Sequence, residues 1–231
     1  MKIVKNNFLY FLIFILWSCF SQPNILNSEE VFQSSKNSVV EVKSYIDENL
    51  VCYGSAVLIK EDGTFASNAH LVRYKEGGIY KDFENIEIRF TFEEEYRKVS
   101  LIKYDADSDI SLLKLYDINN LDLKPLVIGD TTDLKQGQKV YAIGNGMNHG
   151  VGITEGIISL SEVNIVFEKV NRKVIQCDLT INDGNSGGAL LNEEASLIGL
   201  TTFRLKDNSG NVIYGIAFCI PIHLVITYLN S

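Results

Sequence analysis

From residue 38 onward the chain is a succession of short segments in which apolar and polar side chains alternate. Ile86-Glu87-Ile88-Arg89-Phe90-Thr91-Phe92 does so residue by residue, the period that sends successive side chains to opposite faces of a strand. Val, Ile, Tyr, Phe and Thr dominate these segments, as suits a pleated, half-buried surface. The pattern predicts strands over residues 38–46, 52–60, 86–92, 98–104 and 110–115. It predicts a second set over 139–143, 152–160, 164–168, 173–179, 189–191, 196–203 and 212–220. Turn residues divide them, as in Glu61-Asp62-Gly63 and Asp207-Asn208-Ser209-Gly210. Many short strands at such spacing predict a sandwich or closed barrels, since closure removes exposed edges.

Two segments break the pattern. Residues 117–125 are polar, carry Pro125, and read as a linker between two halves. Residues 221–229 begin with proline and set Ile222, Val225, Ile226 and Leu229 at helical spacing, which predicts a C-terminal helix docked on the body.

Composition narrows the class. The 231 residues are 46% hydrophobic and 22% charged, a globular balance long enough to bury a core without metal or disulfides. The formal charge is −8, and no basic stretch is dense enough to track a phosphate backbone, so nucleic acid is not an expected partner.

The N-terminus differs from the rest. Lys2 and Lys5 precede an unbroken apolar run over residues 8–17, too short for a bilayer span of roughly 20 residues. A secretory signal over residues 1–18 is predicted, with a polar tether over 19–30 and an acidic, exported remainder. Leu16-Trp17-Ser18-Cys19 resembles a bacterial lipobox, though Trp17 fits that pattern poorly. Lipid on Cys19 and ordinary cleavage nearby are therefore two alternatives, and Cys19 is the one expected route to a membrane. Cys52, Cys177 and Cys219 sit among apolar residues without C-x-x-C spacing, and read as small buried hydrophobes.

Candidate chemistry centres on Gly184-Asn185-Ser186-Gly187-Gly188. A serine between glycines suits a tight turn that lets substrate approach the backbone closely. The amides of Gly184 and Ser186 are then candidates to stabilise an oxyanion. A serine nucleophile needs a base and a group that orients it. The chain has three histidines, of which His70 closes Ser67-Asn68-Ala69-His70 just after a strand and turn. Asp105, Asp107 and Asp109 cluster ahead of Ile110-Ser111-Leu112-Leu113, and the order histidine, aspartate, serine is not that of α/β-hydrolases.

In these blocks the chain resembles a trypsin-fold serine protease of the HtrA/Deg type. The histidine block runs from Gly54-Ser55-Ala56 to His70-Leu71-Val72, and Asp109-Ile110-Ser111-Leu112-Leu113-Lys114-Leu115 matches the aspartate block. Ala142-Ile143-Gly144-Asn145-Gly146, Thr154-Glu155-Gly156-Ile157-Ile158-Ser159 and Gly215-Ile216-Ala217-Phe218 follow the family's order. The likeness covers residues 33–229. It implies an all-β fold of two antiparallel six-stranded barrels with a short C-terminal helix. Residues 31–120 would carry His70 and Asp109, and residues 121–231 would carry Ser186.

The resemblance further implies a Ser186 nucleophile, a His70 base, and Asp109 fixing its tautomer. Gly184 and Ser186 would supply the oxyanion hole. Thr180 would sit in the specificity pocket, and Leu200, Thr201 and Thr202 would lie on a strand that pairs with extended peptide. The implied activity is an exported serine endopeptidase acting on extended or unfolded protein without cofactor or metal. An oligomer is the family habit.

Departures qualify the likeness. Asn185 stands where digestive enzymes keep an aspartate, so activation by N-terminal trimming is not expected. Leu71 replaces a disulfide cysteine, Ala189 a proline, and Thr201 the histidine of glutamyl endopeptidases. No PDZ segment is expected. Thr180 is no acid, which argues against a lysine or arginine pocket and leaves a small or medium apolar side chain.

Rival readings are weaker. The Asp105-x-Asp107-x-Asp109 string lacks the glycine and glutamate of a calcium loop, with Ile110 and Tyr116 at those places. His149 reads as a loop residue and His223 as a helix residue. A triad of Ser186, Asp207 and His223 would need a parallel α/β scaffold. The alternative from another class is a silent trypsin-fold binding protein, and neither triad nor glycine turn has the loss that reading expects.

Overall fold

The computed structural model describes residues 24–167, 169–206 and 212–231. The predicted signal, Cys19 and Asp207 lie outside the described residues.

The first unit consists of β1 (Val39–Ile46), β2 (Asn49–Lys60), β3 (Thr64–Ser67), β6 (Asn85–Arg89), β7 (Arg97–Asp105) and β8 (Ile110–Leu115). They close into an antiparallel barrel in the order β1-β2-β3-β8-β7-β6. A separate hairpin, β4 (Arg73–Glu76) and β5 (Ile79–Asp82), follows His70. The second unit holds β9 (Lys139–Gly144), β10 (Gly152–Phe167), β11 (Val170–Cys177), β12 (Ala189–Leu191), β13 (Leu197–Lys206) and β14 (Val212–Pro221). These close in the order β10-β11-β14-β13-β12-β9, giving the two six-stranded barrels that the family resemblance implies.

Alternation along single strands explains how the barrels pack. In β2, Ala56 and Leu58 point into the first barrel, while Val57 and Ile59 join a cluster shared with the second. In β9, Val140 and Ala142 fill the second barrel, while Tyr141 and Ile143 face the shared cluster. Strands buried on both faces read as continuous apolar runs such as Ala56-Val57-Leu58-Ile59. Three layers result: two barrel interiors and a seam between them, and the seam is where chemistry can be assembled from both halves.

Helix α2 (Ile222–Asn230) is the predicted C-terminal helix, with Ile222 and Val225 buried in the shared cluster and Ile226 and Leu229 packed against it. Helix α1 (Ser28–Ser35) occupies the end of the stretch expected to be a tether. Its capping box is legible in the sequence as Asn27-x-x-Glu30: the Asn27 side chain accepts from Glu30 N at 3.0 Å, and Glu30 accepts from Asn27 N at 2.9 Å. The segments expected as strands 152–160 and 164–168 are one strand, β10, whose register shifts at Ile158, Leu160 and Val163. Bulges bend a strand without ending it.

Candidate active site

Adjacent strands bring the histidine and the aspartate together. β3 pairs with β8 in the register Ser67↔Ser111, so the residues just past the end of one strand meet those just before the other. Asn68 Nδ2 donates to the Asp109 carbonyl at 3.0 Å and Ser111 Oγ to the Asn68 carbonyl at 2.9 Å, fixing the junction. The His70 ring then lies with Nδ1 at 2.9 Å from Asp109 Oδ2 and 3.1 Å from Oδ1, and the His70 amide donates to Oδ1 at 3.0 Å. Asp109 adopts a positive φ of 58°, sparsely populated for a side-chain-bearing residue and tolerated best by Asp and Asn.

The Asp109 side chain is nearly sealed, at 6% exposure, whereas the His70 side chain is 45% exposed. Burial pushes the Asp109 carboxyl up, but the facing His70 ring and hydrogen bonds from His70 and Thr202 outweigh it and hold the group below its ordinary value. Asp109 therefore stays ionised. An acceptor at Nδ1 keeps the ring proton there and leaves Nε2 with its lone pair.

The serine sits on a turn whose glycines have no substitute. Gly184 has φ 95° and Gly187 φ 79°, and an added Cβ would collide with the Asn145 carbonyl oxygen at the first and the Ser55 carbonyl oxygen at the second. Both collisions involve residues outside the turn. The first barrel grips this loop through Ser55: its N–H donates to the Ser186 carbonyl at 2.8 Å, and its Oγ donates to the Gly184 carbonyl at 2.7 Å. The same Oγ accepts from Asn145 N at 2.8 Å. Asn185 N donates to the Asn182 carbonyl, whereas among the described residues the amides of Gly184 and Ser186 donate to no protein acceptor. Those two N–H groups are free to bind an anionic oxygen.

Thr202 links the halves. Its Oγ1 donates to Asp109 Oδ2 at 2.7 Å, and its carbonyl accepts from Ser186 Oγ at 2.7 Å. Among the described residues no hydrogen bond joins His70 to Ser186, and the hydroxyl rests on the Thr202 carbonyl.

Thr180 is exposed and lines a cavity of about 10 Å³ with Leu179, Ile181, Arg204 and residues of β14. Leu200 and Thr201 differ from expectation. Leu200 is wholly buried between Ala189 and Ile220, and Thr201 exchanges both backbone groups with Gly187 and Gly188. The Thr201 hydroxyl also donates to the Asn185 carbonyl. With no free backbone edge, both brace the serine loop from behind, and any peptide-pairing edge starts at Thr202.

The remaining candidates stay apart. His149 is an exposed loop residue, and His223 on α2 is hydrogen-bonded to Thr131 Oγ1 at 2.8 Å. Asp105 caps its own turn through the Asp107 amide at 2.9 Å, and among the described residues no cluster could hold a metal ion. Cys177 and Cys219 are buried free thiols in the second barrel, far from Cys52 in the first. Ser55, Asn145 and Arg204 are the contributors that sequence reasoning missed. Ser55 was marked only by its place beside Gly54 in the histidine block.

The chain is 36% identical over 180 residues, 77% of its length, to a protein of Buchnera aphidicola subsp. Acyrthosiphon pisum named probable serine protease do-like. It is 34% identical over 172 residues, 74% of its length, to the serine endoprotease DegS of Haemophilus influenzae. The chain spans 35% and 47% of those two relatives. Among solved structures it resembles the HtrA-type protease AlgW with tripeptide, at a TM-score of 0.74 and 28% identity, over 87% of this chain and 62% of that one. The trypsin-like peptidase domain model matches residues 54–200, which include His70, Asp109 and Ser186. With two closed barrels, a shared seam and that match, the chain belongs to the trypsin-like peptidase domain family.

Proposed function

We propose that the chain is a serine endopeptidase that cleaves extended or unfolded protein segments through an acyl-enzyme. The observation that carries this reading is the coupling of Ser186 and Asp109 across the seam through Thr202, with His70 held on the same carboxylate. Ser186 Oγ leaves the Thr202 carbonyl, passes its proton to His70 Nε2 and attacks the scissile carbonyl. The amides of Gly184 and Ser186 receive the negative charge on the carbonyl oxygen. His70 then protonates the leaving amine, and water repeats the sequence in reverse to free the acid. Asp109 stays ionised throughout and stabilises the imidazolium. Thr202 leads the edge on which the peptide pairs, and Thr180 lies in the pocket beside it.

Export is part of the same proposal. Lys2 and Lys5 ahead of an apolar run support it, as do relatives named periplasmic, such as that of Halomonas elongata at 37% identity. The intact mass of protein recovered from its host tests this: loss of the first 18 residues is expected, with or without lipid on Cys19, and an uncleaved mass overturns it.

A fluorophosphonate probe tests the chemistry. Wild type should label and Ser186→Ala should not, with turnover falling about 10⁶-fold. Equal labelling of both proteins would overturn the assignment of Ser186. No labelling of folded wild type would favour the silent binder.

A further inference from the structure

The cavity beside the serine loop is nearly full, and one side chain fills it. Leu179 and Ile181 form one wall and Ile213, Gly215 and Ile216 the other, while Arg204 reaches across between them. The Arg204 guanidinium donates to the Ile181 carbonyl at 3.3 Å, to Asn182 Oδ1 at 3.0 Å and to Asp183 Oδ1 at 2.8 Å. Its side chain is only 15% exposed, in contrast to the 70% of its acidic partner. About 10 Å³ of space remains, the room of roughly one water molecule.

We propose that Arg204 is a specificity-determining gate: pinned across the pocket, it admits only a very small side chain on the acyl side of the scissile bond. The gate rests on Ser186 acting as the nucleophile. The walls explain why size and not charge is selected. Apart from the uncharged Thr180 and Tyr214 they are aliphatic or glycine, and the guanidinium has its hydrogen bonds directed to the serine loop, not into the cavity. An acidic substrate side chain would have to break the Asp183 pair to reach the cation. A leucine or phenylalanine would have to displace the whole arginine stem. The three bonds also attach the gate to residues 181–183, immediately ahead of Gly184, so pocket and oxyanion site share one support.

Peptidyl diphenyl phosphonates carrying alanine, leucine, phenylalanine or glutamate side chains at the reacting residue test this on the full chain. Wild type should react fastest with the alanine probe. In Arg204→Ala the leucine-to-alanine rate ratio should rise about tenfold or more, the range expected when a pocket gains room for further methylenes. Because the readout is a ratio, a general loss of activity leaves it legible. Arg204→Met keeps the bulk but drops all three bonds, and should raise the ratio as well if pinning is what closes the pocket. An unchanged ratio in both variants overturns the gate, as does a wild type that prefers the glutamate probe and loses that preference in Arg204→Ala. Labelling of Ser186 by a plain fluorophosphonate runs alongside: with labelling present, an unchanged ratio sinks the gate alone, whereas no labelling of wild type sinks the nucleophile assignment and the gate together.

Discussion

Thr202 Oγ1 stands 2.7 Å from Asp109 Oδ2, a hydrogen bond that runs from the second barrel to the acid of the first. It helps hold the buried carboxyl below its ordinary value. Thr202→Val keeps the shape and removes the donor. The Asp109 carboxyl should then rise and kcat fall about tenfold, as for the loss of a hydrogen bond to a charged group. Thr202→Ser should restore both. Steady-state kinetics on a chromogenic ester and urea melts against pH decide it: a Val variant with unchanged kcat, whose acid loss of stability does not move to higher pH, counts against the coupling.

Asp109→Asn should cut kcat about 10⁴-fold, because an amide lets the imidazole settle in the wrong tautomer. The same variant reports on stability. The folded carboxyl lies below its unfolded value, so its contribution is complete above the ordinary carboxylate range, near pH 4, and is lost as pH falls through the lowered value. Urea melts from pH 7 to pH 3 should therefore show wild type more stable at neutrality and the gap closing in acid. A gap that widens in acid would reverse the sign of the argument.

Ser55→Ala removes an oxygen that serves both the Gly184 carbonyl and the Asn145 amide. Two buried groups lose their partner, each at about 1–3 kcal/mol, and the Gly184 peptide is released. The expected result is a kcat lowered about 10- to 100-fold with KM little changed, since the site is loosened and the binding edge is not. Steady-state kinetics separate the two parameters.

Glycines at positive φ give a graded test. Gly77 has φ 58° with nothing near its absent Cβ, so Gly77→Ala should cost about 1–2 kcal/mol from conformation alone. Gly184→Ala adds a backbone collision with Asn145 and should cost visibly more, with labelling of Ser186 lost. Equal melting shifts for the two would show that the close approach carries no energetic weight.

The barrels were readable because their strands bury both faces or alternate cleanly, as Ala56–Ile59 and Ile86–Phe92 do. The hairpin formed by β4 and β5 was not, since Ile79, Tyr80, Lys81 and Asp82 are all exposed and no core writes a period into them. Strand β3 escaped notice because four residues between a turn and the histidine are too few to show alternation. In the site, Ser186 and His70 stand in glycine- and strand-marked blocks that local sequence carries. The roles of Ser55 and Asn145 are created by contacts across the seam, 129 positions apart for Ser55 and Gly184, and that of Arg204 by contacts with residues 181–183 of its own barrel, so no local pattern encodes them. Leu200 and Thr201 illustrate a related point: the strand is legible, but which of its residues retain a bare edge depends on its neighbours in the sheet.

The grip of Ser55 on the serine loop has a bearing on the life of the newly made polypeptide. A fragment comprising the carboxy-terminal half alone would possess the hydroxyl yet lack the struts that shape its surroundings. Cutting power would thus arise late, when both portions have docked.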